Sequence, residues 1–144
     1  MRLRGVFYKH NIGGTVKGIR VFANTEKKTY LCTCNDKDTM LIEFSKDYLR
    51  DLFEQGRTND KKHRYQPEVI KGYQKAVVSL NRAVSVEMLY RLNSLNYEVL
   101  RGDKKGISSV RINNKYRLEF TVREIMGEQI VTVCNLLDIS NHYK

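Results

Sequence analysis

A chain of 144 residues, 41% hydrophobic and 29% charged, has the size and composition of one soluble globular domain with a real core. No apolar run reaches the length of a membrane span, and the early arginines are followed by polar, glycine-containing sequence, unlike a secretory signal. Twenty-six basic against sixteen acidic residues leave a net charge of +10, which points to a polyanionic partner, because neutralised phosphates release counterions. The cysteines are Cys32, Cys34 and Cys134: a lone Cys-x-Cys without a second pair argues against a zinc site or disulfide framework and for a reducing cytoplasm. No metal or cofactor is expected. Tryptophan is absent and no Phe/Tyr-Gly-Phe signature occurs, which lowers the expectation of a single-strand stacking platform.

Along the chain, residues 1–39 show little sustained periodicity, with short strand candidates at Ile19–Ala23 and Tyr30–Thr33 around glycine-rich sequence. Order begins at Met40. "MLIEF" reads as a short apolar strand, and Ser45 as the N-cap of a helix over "KDYLRDLFEQ". In that helix Tyr48, Leu49, Leu52 and Phe53 share a face, and Gly56 closes the end. A basic loop, "RTNDKKHR", follows with Arg57, Lys61, Lys62, His63 and Arg64, a candidate for contact with RNA or an acidic partner segment. Pro67 then opens "PEVIKGYQKAVVSLNRA", where Val69, Ile70, Tyr73, Val77 and Leu80 recur at helical spacing. Ser85 is placed to cap a shorter helix, "VEMLYRL".

The last third changes period. "YEVLRG", "ISSVRIN", "YRLEFTV", "QIVTVCNLL" and "DISNHY" are alternating or β-branched, with turns at Gly102-Asp103, Asn113-Asn114 and Met126-Gly127. Asn113-Asn114 suits a tight hairpin because Asn tolerates positive φ. The expectation is an α+β fold with N-terminal helices packed on a twisted antiparallel sheet of about four strands.

Alternation also sorts the polar groups of that sheet. Tyr116, Leu118 and Phe120 share one face, and Arg117, Glu119 and Thr121 the other, with Arg111 opposing Val110 and Ile112. Glu98, Arg101, Lys104 and Lys105 precede the hairpin, and His142 and Tyr143 follow the last strand. A carboxylate, an imidazole and several cations over one sheet suit phosphodiester transesterification in RNA. The carboxylate takes the 2′-OH proton, the imidazolium protonates the departing 5′ oxygen, and the arginines offset charge on the phosphate. The ordinary alternatives are solvated strand arginines, an exposed carboxylate and a frayed end.

"LNRAVSVEMLYRLNSLNYEVLRGDKKGISSVRINNKYRLEFTV" followed by "VTVCNLLDISNHYK" resembles the RelE superfamily of bacterial toxins, in particular HigB- and YoeB-like toxins of type II toxin–antitoxin systems. The motifs that carry the resemblance are "LRGDKKG", the "SVRIN…YRLEF" hairpin and the terminal His-Tyr. It covers residues 40–144 and implies a RelE-like, microbial-RNase-like fold. The implied activity is an endoribonuclease that cuts messenger RNA, typically on the ribosome, without a metal, and is silenced by a cognate antitoxin of helix-turn-helix, HigA-like type. Carried over by position, Glu98 matches the general base, Arg101 stands where a lysine is usual, and Arg111 and Arg117 match phosphate-holding positions. His142 matches the general acid and Tyr143 its neighbour that orients substrate. Whether Glu98 or His142 is the base stays open, because HigB members carry a histidine near the position of Glu98. Lys104, Lys105 and Lys115 are expected RNA contacts. Residues 1–39 have no counterpart in the resemblance and are expected to be an extension, with Met40 a candidate true start. The alternative is a non-catalytic basic module, a decayed toxin that only binds RNA or antitoxin.

Overall fold

The apolar spacings become three helices and an eight-stranded sheet in a computed structural model that describes residues 4–7, 20–23, 29–33, 40–126 and 131–141. In chain order the elements are β1 (Arg4–Phe7), β2 (Arg20–Ala23), β3 (Thr29–Thr33), β4 (Leu41–Phe44), α1 (Asp47–Gln55), α2 (Pro67–Arg82) and α3 (Val86–Arg91). The chain continues with β5 (Glu98–Val99), β6 (Ser108–Arg111), β7 (Tyr116–Ile125) and β8 (Val131–Asn141). Across the sheet they run β1-β2-β3-β4-β8-β7-β6-β5.

Two features of this architecture correct the sequence expectation of about four antiparallel strands. β4 precedes all the helices and pairs in parallel with β8, from Leu41 opposite Val133 to Phe44 opposite Leu136, so the five strands β4–β8 form a mixed sheet. A parallel pair needs a long crossover, which α1–α3 and the meander β5–β7 supply. β1–β3 then extend the sheet from the far side of β4, where β3 meets it antiparallel through Thr29–Glu43 and Tyr30–Ile42. The second correction concerns the end of the chain. "VTVCNLL" and "DISN" are one continuous strand, β8, and the register shift opposite Glu119/Phe120 passes over Leu137 as a bulge where the sequence suggests a break.

The helices fix one face of the sheet. α1 buries Tyr48, Leu49, Leu52 and Phe53, and Gly56 closes it in the left-handed region at φ 68°, donating its N–H to Leu52 O at 3.2 Å. Ser45 does not cap it: its hydroxyl donates to Leu136 O on β8 at 2.6 Å, and Lys46 occupies the cap position. α2 starts at Pro67 as expected and buries Val69, Tyr73, Ala76, Val77 and Leu80; the valines and the leucine are each worth roughly 1.5–3 kcal/mol of burial and the Ala76 methyl about 0.8. Its Gln74 amide donates to the carbonyls of Leu52 and Phe53 at 3.1 and 3.3 Å, satisfying the end of α1. Gly72 lies so close to the β6–β7 loop that a Cβ there would stand 2.9 Å from Ile112 O. Leu118, Phe120, Leu136 and Ile139 meet the helices from the sheet side, and Cys134 is buried there beside Met40. That burial pushes the Cys134 thiol pKa up to about 12.

The hairpin between β6 and β7 closes differently from expectation. Asn113 Oδ1 accepts the N–H groups of Lys115 and Tyr116 at 2.9 and 2.8 Å, a side-chain-mediated turn. Neither asparagine there has positive φ; among the described non-glycine residues only Asn96 does.

Candidate active site

The site forms on the sheet face opposite the helices, at the β5 edge. Alternation along β7 holds: Leu118 and Phe120 go to the core, Arg117 and Glu119 to the other face. That face is not simply solvated, since Arg117 is only 6% exposed and Glu119 8%. Register places Glu98 opposite Ser109, Ser109 opposite Glu119, Arg111 opposite Arg117, and Ser140 on the other side of Arg117. These residues therefore share one face.

Arg117 is the hub. Its Nε donates to Ser109 Oγ at 2.9 Å, and its Nη2 donates to Asn96 O at 2.7 Å and forms an ion pair with Glu98 Oε1 at 3.0 Å. Ser109 Oγ also donates to Glu98 Oε1, at 3.3 Å. A buried guanidinium survives because its Nε and Nη2 have acceptors and a carboxylate offsets its charge. Asn96 presents its carbonyl from a left-handed conformation at φ 44°, which Asn adopts more readily than other side-chain-bearing residues. Two arginines directly opposite on adjacent strands would repel. Here one is neutralised by Glu98, while Arg111 is exposed and its Nη2 donates to Asn114 Oδ1.

The remaining expected residues separate into groups. Lys104 pairs with the buried Glu119 at 2.5 Å, so its ammonium braces the loop after β5 against β7. Arg101 and Lys105 are exposed, and Arg101 lines a cavity together with Glu98. Lys115 stands 5.6 Å over the ring of Tyr116 at the hairpin end. His142 and Tyr143 lie outside the described residues; β8 is described to Asn141, opposite Tyr116. Sequence reasoning missed Ser109 and Asn96 as partners, and it placed Glu119 on the Arg117 face without its pairing to Lys104. Strand alternation could have placed Ser109 beside the arginines as well, but nothing in the sequence marks the Asn96 carbonyl.

A second polar cluster holds β8 just before this site. Asp138, next to the bulge, accepts from Tyr48 Oη and from Lys46 Nζ, the latter at 2.8 Å. Its Oδ1 also accepts the Ile139 N–H at 2.9 Å. Burial pushes the Asp138 carboxyl up, but the hydrogen bonds from Lys46 and Tyr48 outweigh it and hold the group below the usual carboxylate range. Burial, and then the hydrogen bond to Asp138, pushes the Tyr48 hydroxyl well above its ordinary value. From the basic loop, His63 stacks on the Tyr48 ring at 3.6 Å with planes 6° apart, and its Nδ1 lies 2.7 Å from Asp60 Oδ2. Among the described residues no group of three or more His, Cys, Asp or Glu side chains is arranged to hold a metal ion, and no helix is long and apolar enough to cross a membrane.

No protein-family model matches the sequence, and no curated protein matches it. Among solved structures, a YoeB/ParE toxin from Agrobacterium tumefaciens is similar. It has 18% sequence identity over 71% of this chain and 98% of that chain, with a TM-score of 0.40.

Proposed function

We propose that this protein is a cytoplasmic endoribonuclease of the toxin–antitoxin kind that cuts messenger RNA on the ribosome by acid–base transesterification. The supporting observation is the Glu98–Arg117 pair: an exposed carboxylate braced from beneath by a buried guanidinium, with the exposed Arg111 opposite that arginine and Arg101 lining the same cavity as Glu98. In the reaction Glu98 takes the 2′-OH proton and the 2′ oxygen attacks phosphorus. The P–O5′ bond then breaks and His142 protonates the leaving 5′ oxygen, giving a 2′,3′-cyclic phosphate and a 5′-hydroxyl end. Arg111 and Arg101 contact the phosphate, with Lys105 and Lys115 along the RNA. Arg117, whose Nε and Nη2 are engaged within the protein, orients Glu98 and supplies positive potential beneath the reacting group. Tyr143 orients the substrate beside His142. The reading rests on residues 40–144, and it includes a HigA-like helix-turn-helix antitoxin that covers the basic face.

The burial of Arg117 also favours a second reading, a non-catalytic module that holds RNA or an antitoxin through the same face. Mapping new RNA ends after adding the full chain to translating ribosomes separates the two. Wild type should generate 5′-hydroxyl ends, and Glu98→Gln should cut about 10²–10⁴-fold more slowly with its circular dichroism unchanged. Equal cleavage by both proteins, or RNA binding without new ends, would remove the catalytic reading.

A further inference from the structure

The cavity that Glu98 shares with Arg101 is lined otherwise by Tyr90, Tyr97, Val99 and Leu100, and measures about 630 Å³. That is within the roughly 300–1,000 Å³ typical of small-ligand sites. It opens between the end of α3 and the edge strand β5, and its two aromatic walls are not equivalent. Tyr97 is anchored: its hydroxyl is 3.0 Å from Ser108 Oγ, and its ring packs 6.1 Å from that of the buried Phe120. Tyr90 meets the Tyr97 ring edge-on, with centroids 4.7 Å apart and planes at 87°, yet it remains 60% exposed. A large aromatic held in place by one neighbour but mostly open to solvent offers a flat face for stacking. The groups around it are a carboxylate and a guanidinium.

We propose that this cavity is a nucleobase subsite for single-stranded RNA, in which a base stacks on Tyr90 against the Tyr97 wall. The inference rests on the endoribonuclease reading and extends it to one nucleotide. Stacking is available to every base because each presents a π face, and purines present the larger one. The chain's net charge of +10 and the exposed Arg101 at the cavity favour a phosphate-bearing occupant over an apolar peptide side chain. Glu98 and Arg101 line the same cavity as the two rings, so a base lodged there brings its own ribose and phosphate to them. The nucleotide whose ribose meets the base-catalytic carboxylate is the one that supplies the attacking 2′-OH. The subsite therefore reads the base on the 5′ side of the cut. Cleavage preference at that position is set by Tyr90 and Tyr97.

The absence of tryptophan from the sequence makes the test direct. In the full chain, Tyr90→Trp introduces a single fluorescent reporter at the stacking face. Titration with a short 2′-O-methyl oligoribonucleotide, which lacks the nucleophile and stays intact, should quench the emission saturably. Tyr90→Ala should bind the same oligonucleotide on the order of ten-fold more weakly, as loss of one stacked base predicts. Tyr90→Phe, which keeps the ring, should bind like wild type. Tight binding without quenching, or Tyr90→Ala binding as well as wild type, overturns the subsite and leaves the nuclease reading intact. If wild type does not bind the oligonucleotide at all, the subsite falls, while the mapping of RNA ends still judges the nuclease reading by itself.

Discussion

The two polar clusters flanking β8 use the same chemistry, a cation and a carboxylate supported by neutral hydrogen bonds, and arrive at opposite arrangements. Around Arg117 the cation is the buried member: its side chain is 8% exposed, against 47% for Glu98. Around Asp138 cation and carboxylate are similarly exposed, at 46% and 40%, and the buried member is the neutral Tyr48. The first arrangement puts a carboxylate at the surface and fixes it from below, as the proposed reaction requires of its base. The second turns the carboxylate toward α1 and the β8 backbone, which ties strand to helix. Asp138 and Ser140 are two residues apart, so the tie sits immediately before the stretch of β8 that passes Arg117. β1–β3 join at the opposite edge of the sheet from β5, far from both in strand order.

If that contrast is right, the clusters should fail unequally. Arg117→Met should be the most damaging change, costing about 3 kcal/mol in denaturant unfolding, because it strands the Asn96 carbonyl and the Ser109 hydroxyl that accept from the guanidinium. Glu98 itself can return to water. Tyr48→Phe removes the hydroxyl's bond to Asp138 and its acceptance of the Ile139 N–H at 3.2 Å, but the carboxylate keeps Lys46 and that same N–H, so about 1.5 kcal/mol is expected. Under the proposed nuclease reading, it should lower cleavage only as far as it loosens β8. Equal losses from the two substitutions would mean that the clusters are the same kind of structural brace.

How much of this was legible in the sequence depends on the range of the interaction. Helical spacing in α1 and α2 and alternation in β7 were readable because each reports a local period against a buried face. Pro67 and Gly56 marked their helix ends because backbone geometry favours them there. The parallel β4–β8 pair was not readable, since the two strands are separated by every helix and register is set by packing. Ser45 has the composition of a cap, yet its hydroxyl is taken by Leu136 on that same strand pair. The candidate site was legible only as placement: Glu98, Arg111 and Arg117 do share a face. What could not be read was which of them is buried, because the Asn96 carbonyl and the Ser109 hydroxyl that make burial tolerable carry no sequence signature. The exposure of Tyr90 was hidden for the opposite reason, since an aromatic in a short helix beside Leu89 looks like core.

The smallest predicted effect tests the structural half of the contrast through pH. The Asp138 carboxyl is held below its ordinary value in the folded protein, whereas in the unfolded chain it titrates near the reference value of about 4. The folded state therefore binds fewer protons than the unfolded state just below that value, so stability falls as pH falls. The contribution from Asp138 is fully present above about pH 5 and is lost as pH drops through the folded-state value. Asp138→Asn removes the group that titrates. Its unfolding free energy should lie below wild type by a constant amount near neutrality, and the gap should close in acid. Asp60, held low first by its hydrogen bond with His63, contributes to the acid limb in the same direction and remains in the variant. Some acid sensitivity must therefore persist, and chemical denaturation of both proteins between pH 7 and 3 reads the difference. A gap that stays constant down to pH 3 would mean that the Asp138 charge does not hold β8 to α1. The tie would then rest on Tyr48 and the strand hydrogen bonds alone.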